Sequence, residues 1–554
     1  MADPKSFLSQ LESVADPAAA IANPTTRQKL TRVIVSTPTQ SSNEGGYRVG
    51  RVDASNWDHT PTGIGENSAI TAGGDLANRR QRDNYRQIAL SRRTVHCLRD
   101  LIVGMGLQCL NDPIHFSLTE LLEMRKLNRF DDILSLIDYG LASDESFERW
   151  ATDPELCDRE GRRSWFEMQR TAISEEIQVG DCLIAHEIVD RGPGESPLRL
   201  QMYENEQIDK TKDRHESKGS KYKVVNGFVL DDLNREIGVY LYHEHPQESY
   251  TYSQNGYRSR FVPASRYQHV FQPTRPTQFS GFSWTHTHGQ PLRDRDNFIG
   301  TEIRSAIKGA MQIIAAYLKN PEETNFSFEV DDTAAVPRTT PKLSNSPMAW
   351  KLDADGGEKV EIIESNRPNP NANDFYDILD HDLAMGVDLS YPTLTGRYNG
   401  HTYEGIRGAL QAEAFQMAPL QRAFGLQLCL KVRRLHQDLA VANRQIPGVT
   451  LAQYNRNKNK LRKFDVVGPE RVLLNLEKET GGKAALLRGC LSTFKEEEMR
   501  LGKHWLKTLR QICIENELFK LLGIAPDWSK GQGGQVTTNA RAEDNATPET
   551  EPAE

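Results

Sequence analysis

Cysteine is scarce in this sequence: seven in 554 residues, at positions 97, 109, 157, 182, 429, 490 and 513, scattered and without a Cys-x-x-Cys pair. An odd, dispersed set argues against a cysteine zinc site and a disulfide framework, and for reduced thiols in a cytoplasmic setting. Long apolar runs are missing too. No stretch reaches the roughly eighteen apolar residues of a membrane-spanning helix, and the first residues, Met1-Ala-Asp-Pro-Lys-Ser-Phe-Leu8, lack the apolar centre of a signal peptide. Positive charge is in deficit, with 68 Lys and Arg against 76 Asp and Glu, a net charge of −8. A protein that grips DNA tightly is basic, at least locally, so tight global DNA binding is excluded. There is no Gly-x-x-x-x-Gly-Lys-Ser/Thr, hence no phosphate-cradling loop and no built-in ATP motor. No Ser-His-Asp or Cys-His pattern stands out, and no internal repeat.

What is present is an ordinary soluble composition, 37% hydrophobic and 26% charged with a mean hydropathy of −0.61. The length predicts two to four domains. Residues 1–75 read as an irregular arm rich in Ser, Thr, Gly and Asn. A basic helix is expected from Asn78 to about Val103, with Arg79, Arg80, Arg82, Arg86, Arg92, Arg93 and Arg99; it is either a solvated face or a phosphate or acidic-partner contact. Leu118–Trp150 and Ser164–Gln178 read as helices, the second capped by Ser164. Residues 180–272 read as a β-rich body, with strands at 182–189, 197–203, 222–230, 236–243 and 267–271. An amphipathic helix is expected over 296–318, on the stripe Ile299, Ile303, Ile307, Ala310, Ile314 and Leu318. Residues 321–370 are turn-rich, 483–522 are helical, and the Gly-, Thr- and Glu-rich tail is expected to be disordered.

The chain is organised around residues 373–439. A short amphipathic helix carries Phe375, Ile378, Leu379, Leu383 and Val387 on one side. A loop rich in Tyr, Pro, Gly and Asn follows (389–402), and helical periodicity then continues to Leu439. At about 1.5 Å per residue the last element is roughly 58 Å long. Pro419 lies inside it, removes a backbone donor, and predicts a kink. Candidate metal ligands are few. His286-x-His288 and His243-x-His245 lack a third ligand at helical spacing, and read as polar surface. Asp374, Asp377, Asp380 and Asp382 crowd one helix; paired carboxylates hold Mg²⁺ in some enzymes, but a solvated acidic face is the simpler reading. No metal and no cofactor are expected.

Several segments resemble the lambda-type family of tailed-phage portal proteins. These are Asn78–Arg86 through Leu101-Ile-Val-Gly-Met-Gly106; the order Trp150, Asp158, Gly161, Phe166, Gln169, Gly180-Asp181; and above all Val262-Pro-Ala-Ser-Arg-Tyr-Gln-His-Val-Phe-Gln-Pro-Thr-Arg-Pro-Thr-Gln-Phe-Ser-Gly281. Gly356–Ile362, Asp374–Glu404, Leu487-Arg-Gly-Cys-Leu-Ser-Thr493, Gly502 and Glu515 follow in the same order. The resemblance spans residues 75–520; it departs in the loop, which reads Gly396-Arg-Tyr-Asn-Gly-His-Thr-Tyr403.

The resemblance implies an α+β portal fold: an α/β wing, a helical stem, a small α/β clip and a helical crown, assembled as a homo-oligomeric ring, usually of twelve subunits. It implies a non-enzymatic channel at one capsid vertex for packaging and ejecting double-stranded DNA. The implied partners are the terminase large subunit, head-tail connector proteins, and major capsid and scaffold proteins, with no membrane. By that likeness residues 76–295 are wing, 296–318 and 373–388 stem, and 319–372 clip. Residues 389–402 are a tunnel loop, 403–480 the kinked wing helix and its return, and 481–525 crown, between the 1–75 arm and the 526–554 acidic tail. The implied DNA-facing residues are Arg397, Asn399, His401 and Lys308, touching backbone without reading bases. Gly396, Gly400 and Pro419 are the implied hinge and kink positions. The alternatives are another virion structural component, or a Mg²⁺-dependent DNA-processing enzyme using the 374–382 carboxylates.

Overall fold

The computed structural model describes residues 63–522, apart from 113–119, 121, 124–125, 128–129, 193, 214–221, 249–257, 311–312, 319–348, 354–358, 364–371 and 470–475. Most of the proposed clip, the 1–62 part of the arm and the tail lie outside the described residues. No described helix is long and apolar enough to cross a membrane, and all seven cysteines are free.

The basic helix is two helices, α1 (Glu66–Gln87) and α2 (Ala89–Ile102), with Ile88 between them in extended conformation, φ −109° and ψ 117°. Burial decides the break: Ile88 is a core side chain, and turning it inward interrupts the helix. The end of the expected arm is helical as well, since α1 starts at Glu66 despite Gly73-Gly74. Tertiary contacts override propensity there. Asn67 is tied to the Thr277 carbonyl and the Phe279 N–H, and Ile70 is buried.

Strand β1 (Gln108–Asn111) precedes α3 (Phe130–Thr152) and α4 (Trp165–Val179). Ser164 caps α4 with a full capping box through Glu167. Met168, Ala172, Ile173 and Ile177 run down its buried face against Trp150 and Trp165, forming the centre of the main core. Gly180 and Gly281 then let two backbones touch: a Cβ on Gly281 would lie 2.0 Å from the Gly180 carbonyl oxygen.

The β-rich body is present, but the run expected as one strand over 222–230 folds into a hairpin at Asn226-Gly227, and the strand Ser259–Pro263 was not expected. Strands β2 (Asp181–Ile188), β3 (Leu198–Tyr203), β4 (Lys223–Val225), β5 (Phe228–Leu230), β6 (Glu236–Tyr242), β7 (Ser259–Pro263) and β8 (Tyr267–Phe271) form two antiparallel sheets, ordered β3-β2-β8 and β4-β5-β6-β7. Leu183, Tyr203, Phe228, Val239 and Leu241 fill the space between them. The sheets are also joined by a buried charge cluster. Asp181, fully buried, meets His269 Nε2 at 3.0 Å and accepts from Ser280 Oγ, the Gly281 N–H and Asn205 Nδ2. The other His269 nitrogen meets Glu236 Oε2 at 3.2 Å, and the ring is stacked between Phe228 and Phe271. Burial alone would push the His269 pKa down; Glu236 and Asp181 overcome it and push it up to about 9. His269 and Gly281, in the most specific stretch of the resemblance, therefore hold the two sheets and the adjoining backbone together.

The helix expected over 296–318 divides. Helix α5 (Gly289–Ala310) starts earlier, and Ile313–Leu318 is strand β9, parallel to β10 (Ala349–Asp353) and antiparallel to β11 (Lys359–Ile363). Ile314 and Leu318 fit a helical stripe, but they lie in a short continuous apolar run, which periodicity alone does not distinguish from a strand.

Helix α6 (Ala372–Met385) is antiparallel in sequence order to α5 and pinned to it: Arg295 grips the buried Asp380 with two nitrogens, and Phe298 meets Phe375 and Tyr376 edge-on. After helix α7 (Tyr391–Thr395), helix α8 (Tyr403–Phe424) runs through Pro419 without losing its α-helical pattern; the departure comes at a π-helical turn, Gly425–Cys429, before α9 (Leu430–Ala442). Strand β12 (Phe464–Val467) pairs with β1 and crosses this turn. A Cβ on Gly425 would lie 2.7 Å from Val466 Cγ1. Gly425→Leu is expected to cost about 1–3 kcal/mol of stability by overpacking, with part returned by adding Val466→Ala. Equal melting temperatures for wild type and Gly425→Leu would contradict this. Helices α10 (Leu476–Arg488), α11 (Phe494–Arg500) and α12 (Trp505–Leu522) end the described chain.

Candidate nucleic-acid interface

The 389–402 segment is a short helix with an exposed tip. Pro392 sits in the first turn of α7, where its missing N–H costs nothing. Gly396 ends the helix in the left-handed region, φ 73°, with its N–H on the Pro392 carbonyl at 2.8 Å. Thr402 caps α8 by accepting from the Gly405 N–H. Gly400 also has positive φ, 81°, with open space around its Cα, so backbone conformation alone requires glycine there.

Two residues far away in sequence clamp α7. Arg93 of α2 donates from Nε to the Leu394 carbonyl and from Nη2 to the Thr393 carbonyl, both at 3.1 Å. Glu413 of α8, 2% exposed, accepts from the Ser390 N–H at 2.7 Å and from Thr393 Oγ1 at 3.1 Å. Beyond α7 every residue from Gly396 to Gly405 is exposed.

Arg397, Asn399 and His401 all lie on this tip. Arg397 Nη1 reaches Asp377 Oδ1 at 2.7 Å, and Tyr391 donates to the same oxygen at 2.8 Å. The His381 ring stacks on Tyr391 at 4.0 Å. The sequence reading missed two aromatic members, Tyr398 and Tyr403, exposed by 48% and 42%. Their signal was visible: large rings in a Gly- and Asn-rich loop have no core to enter, and exposed rings beside a cation suit bases and backbone. Lys308 lies in the last turn of α5, with its side chain outside the described residues.

Three arginines of α1 and α2 are engaged within the fold, whereas Arg79, Arg80, Arg86 and Arg92 are exposed. Arg82 joins Glu175 and Glu206, Arg93 holds α7, and Arg99 pairs with Asp100. The aspartates of α6 fare similarly. Asp377 is bound by Arg397 and Asp380 by Arg295, so two of the four carboxylates considered for Mg²⁺ already carry a cation. His245 does find carboxylates, which helical spacing could not reveal: its ligand atom and those of Glu204 and Glu206 lie within 4.8 Å of one another. Yet Arg82 occupies both Glu206 oxygens, at 3.0 and 2.9 Å, and supplies the positive charge a metal would bring.

The tip thus offers a guanidinium, an amide, an imidazole and two phenol rings on a rigid base, suited to fleeting contacts with a polyanion. Residues 53–421 match the family described as phage portal protein, lambda family. A probable portal protein of Halomonas phage phiHAP-1 is 26% identical over 167 residues, 30% of this chain and 31% of that protein's length. Among solved structures, the neck of a native gene transfer agent particle, computed with C12 symmetry, matches with a TM-score of 0.34 at 12% identity, over 79% of this chain and 93% of the other. The neck of the empty particle, computed with C6 symmetry, gives a TM-score of 0.34 at 12% identity, over 81% and 97%.

Proposed function

The chain belongs to the lambda family of phage portal proteins, and from that membership we propose that it assembles into a ring at one capsid vertex, through which double-stranded DNA enters and leaves. The observation that carries this reading is the exposed 396–405 tip on a base clamped by Arg93 and Glu413. Such a tip faces the channel as the tunnel loop, with Arg397, Asn399, His401 and Lys308 meeting phosphate groups without reading sequence. The overall charge of −8 supports a conduit: each phosphate a wall neutralises steepens binding, and a strongly basic lining would hold the DNA it must release.

In this reading α5 and α6 are the stem, the β9–β10–β11 sheet belongs to the clip, and α10–α12 are the crown. The clip docks the terminase large subunit and later the connector proteins, while capsid and scaffold proteins surround the ring in the virion. The chain itself is not an enzyme. Electron microscopy of the purified protein tests the proposal. The expected result is rings with a central hole at least as wide as duplex DNA; monomers at high protein concentration would overturn it.

A further inference from the structure

Two cysteines far apart in sequence meet where the β1–β12 ribbon crosses the π turn. Cys109 of β1 lies directly across from Val466 of β12, so their side chains share one face of the ribbon. That face looks onto the helix. Val466 is the side chain that a Cβ on Gly425 would meet. The Arg433 guanidinium lies 4.5 Å from the centre of the Phe464 ring, two residues before Val466 and on the same face. Arg433 Nε also donates to the Cys109 carbonyl at 3.1 Å. Gly425, Cys429 and Arg433 follow one another at intervals of four, which aligns them on one side of the helix. Cys429 is thus the position between two that already touch the ribbon, and its side chain meets that of Cys109. Both are core residues, 4% and 1% exposed.

A buried free cysteine packs as a small hydrophobe, so an alanine pair would fill much of the same contact. What alanine lacks is the chemistry of two adjoining sulfurs. We propose that Cys109 and Cys429 are a latent disulfide, reduced in the newly made chain and joined by a peroxide, which staples β1 to the long helix at its π turn. One thiolate attacks hydrogen peroxide to give a sulfenic acid, and the hydroxide released takes up the thiol proton as water. The second sulfur then displaces the sulfenic oxygen, forms the S–S bond, and a second water leaves. The two sulfurs together lose two electrons, and the peroxide gains them.

Burial sets the pace. It pushes the Cys429 thiol well above its ordinary range, and the thiolate is the reacting form, so the bond closes slowly. A reducing cytoplasm keeps such a pair open, and long residence outside it does not. This timing rests on the reading of the chain as a virion protein; the bond itself does not.

The test uses the purified full-length chain carrying Cys490→Ser and Cys513→Ser, which removes the two exposed thiols. The protein is held in dilute hydrogen peroxide until Cys157 and Cys182, at 0% and 1% exposure, begin to gain oxygen. At that point the oxidant has reached thiols as deeply buried as the pair. The chain is then denatured in N-ethylmaleimide, digested without reductant and read by mass spectrometry. The expected result is a peptide pair joined through Cys109 and Cys429, lighter by two hydrogens than the separate thiol peptides and parted by dithiothreitol. Adding Cys109→Ser should abolish it. Recovery of Cys109 and Cys429 as separate maleimide adducts, or each carrying oxygen and unjoined, overturns the proposal. A melting curve gives the second readout. The oxidised chain should melt at a higher temperature than the same sample after dithiothreitol, because a tie between distant residues constrains the unfolded chain. The Cys109→Ser chain should show no such difference. Equal melting temperatures for the joined and parted chains overturn the staple. Neither readout depends on oligomeric state, so particle mass separates a failure here from a failure of the ring reading.

Discussion

His269→Ala is expected to destabilise the two-sheet body by about 3–5 kcal/mol, the usual cost of removing one partner from a buried charge cluster. The loss leaves Asp181, at 0% exposure, and Glu236 without their shared cation, and it removes the ring stacked between Phe228 and Phe271. The pH dependence has a definite sign. The folded His269 pKa of about 9 lies above its ordinary value of 6.5, so its contribution is complete below about 6.5 and is lost as pH rises towards 9. The carboxylates act oppositely. Burial works against their charge, but hydrogen bonding and His269 hold Asp181 and Glu236 below their ordinary values, and their contribution fades as pH falls beneath the usual carboxylate range. Wild type should therefore lose melting temperature between pH 7 and pH 9 (about, from that pKa) more steeply than His269→Ala. His269→Gln, which can keep hydrogen bonds but does not titrate, should be more stable than His269→Ala while sharing its shallower pH dependence. Parallel pH curves for wild type and His269→Ala would show that the cluster carries no such linkage.

The largest functional effect is expected from the tip. Gly396→Val and Gly400→Val place a β-branched residue at φ 73° and 81°, where such residues are strained by roughly 1–3 kcal/mol each. Space is available at both positions: Arg93 Nη2 would be 3.7 Å from a Cβ on Gly396, and nothing lies within 4 Å at Gly400. The strain is thus confined to the exposed segment, while the Arg93 and Glu413 clamps on α7 stay intact. The double variant should form normal rings and package DNA poorly, as read by nuclease-protected DNA per assembled particle. Normal packaging by these rings would remove the loop from any role as a moving DNA contact.

Local signals were legible in the sequence wherever a cap or a strict period specified the element. Ser164 placed the start of α4, and apolar runs bounded by Gly, Asn and Pro turns placed β2, β3, β6 and β8. What escaped was decided by distant partners. Ile88 breaks a helix because the core claims it, and Ile313–Leu318 becomes a strand because β10 and β11 lie on either side. Pro419 was the obvious place for an irregularity, but the π turn forms at Gly425, where β12 crosses the helix. In the candidate site the exposed residues were readable from composition, whereas their anchors were not. Arg93 lies 300 residues from the Thr393 carbonyl it holds, and Glu413 looked like one more charge on an amphipathic helix.

The clamp on α7 also limits how far the tip can travel. With Thr395 fixed at one end and Thr402 capping α8 at the other, the segment between them is a short tether. At roughly 3.4 Å per extended residue, its middle can swing by about 10 Å and no further without unfolding a helix end. Successive phosphates on one strand are about 3.4 Å apart along the duplex axis. On the proposed reading, one tip follows a given phosphate for about three base pairs before letting go. On the same reading, longer travel passes from one subunit of the proposed ring to the next.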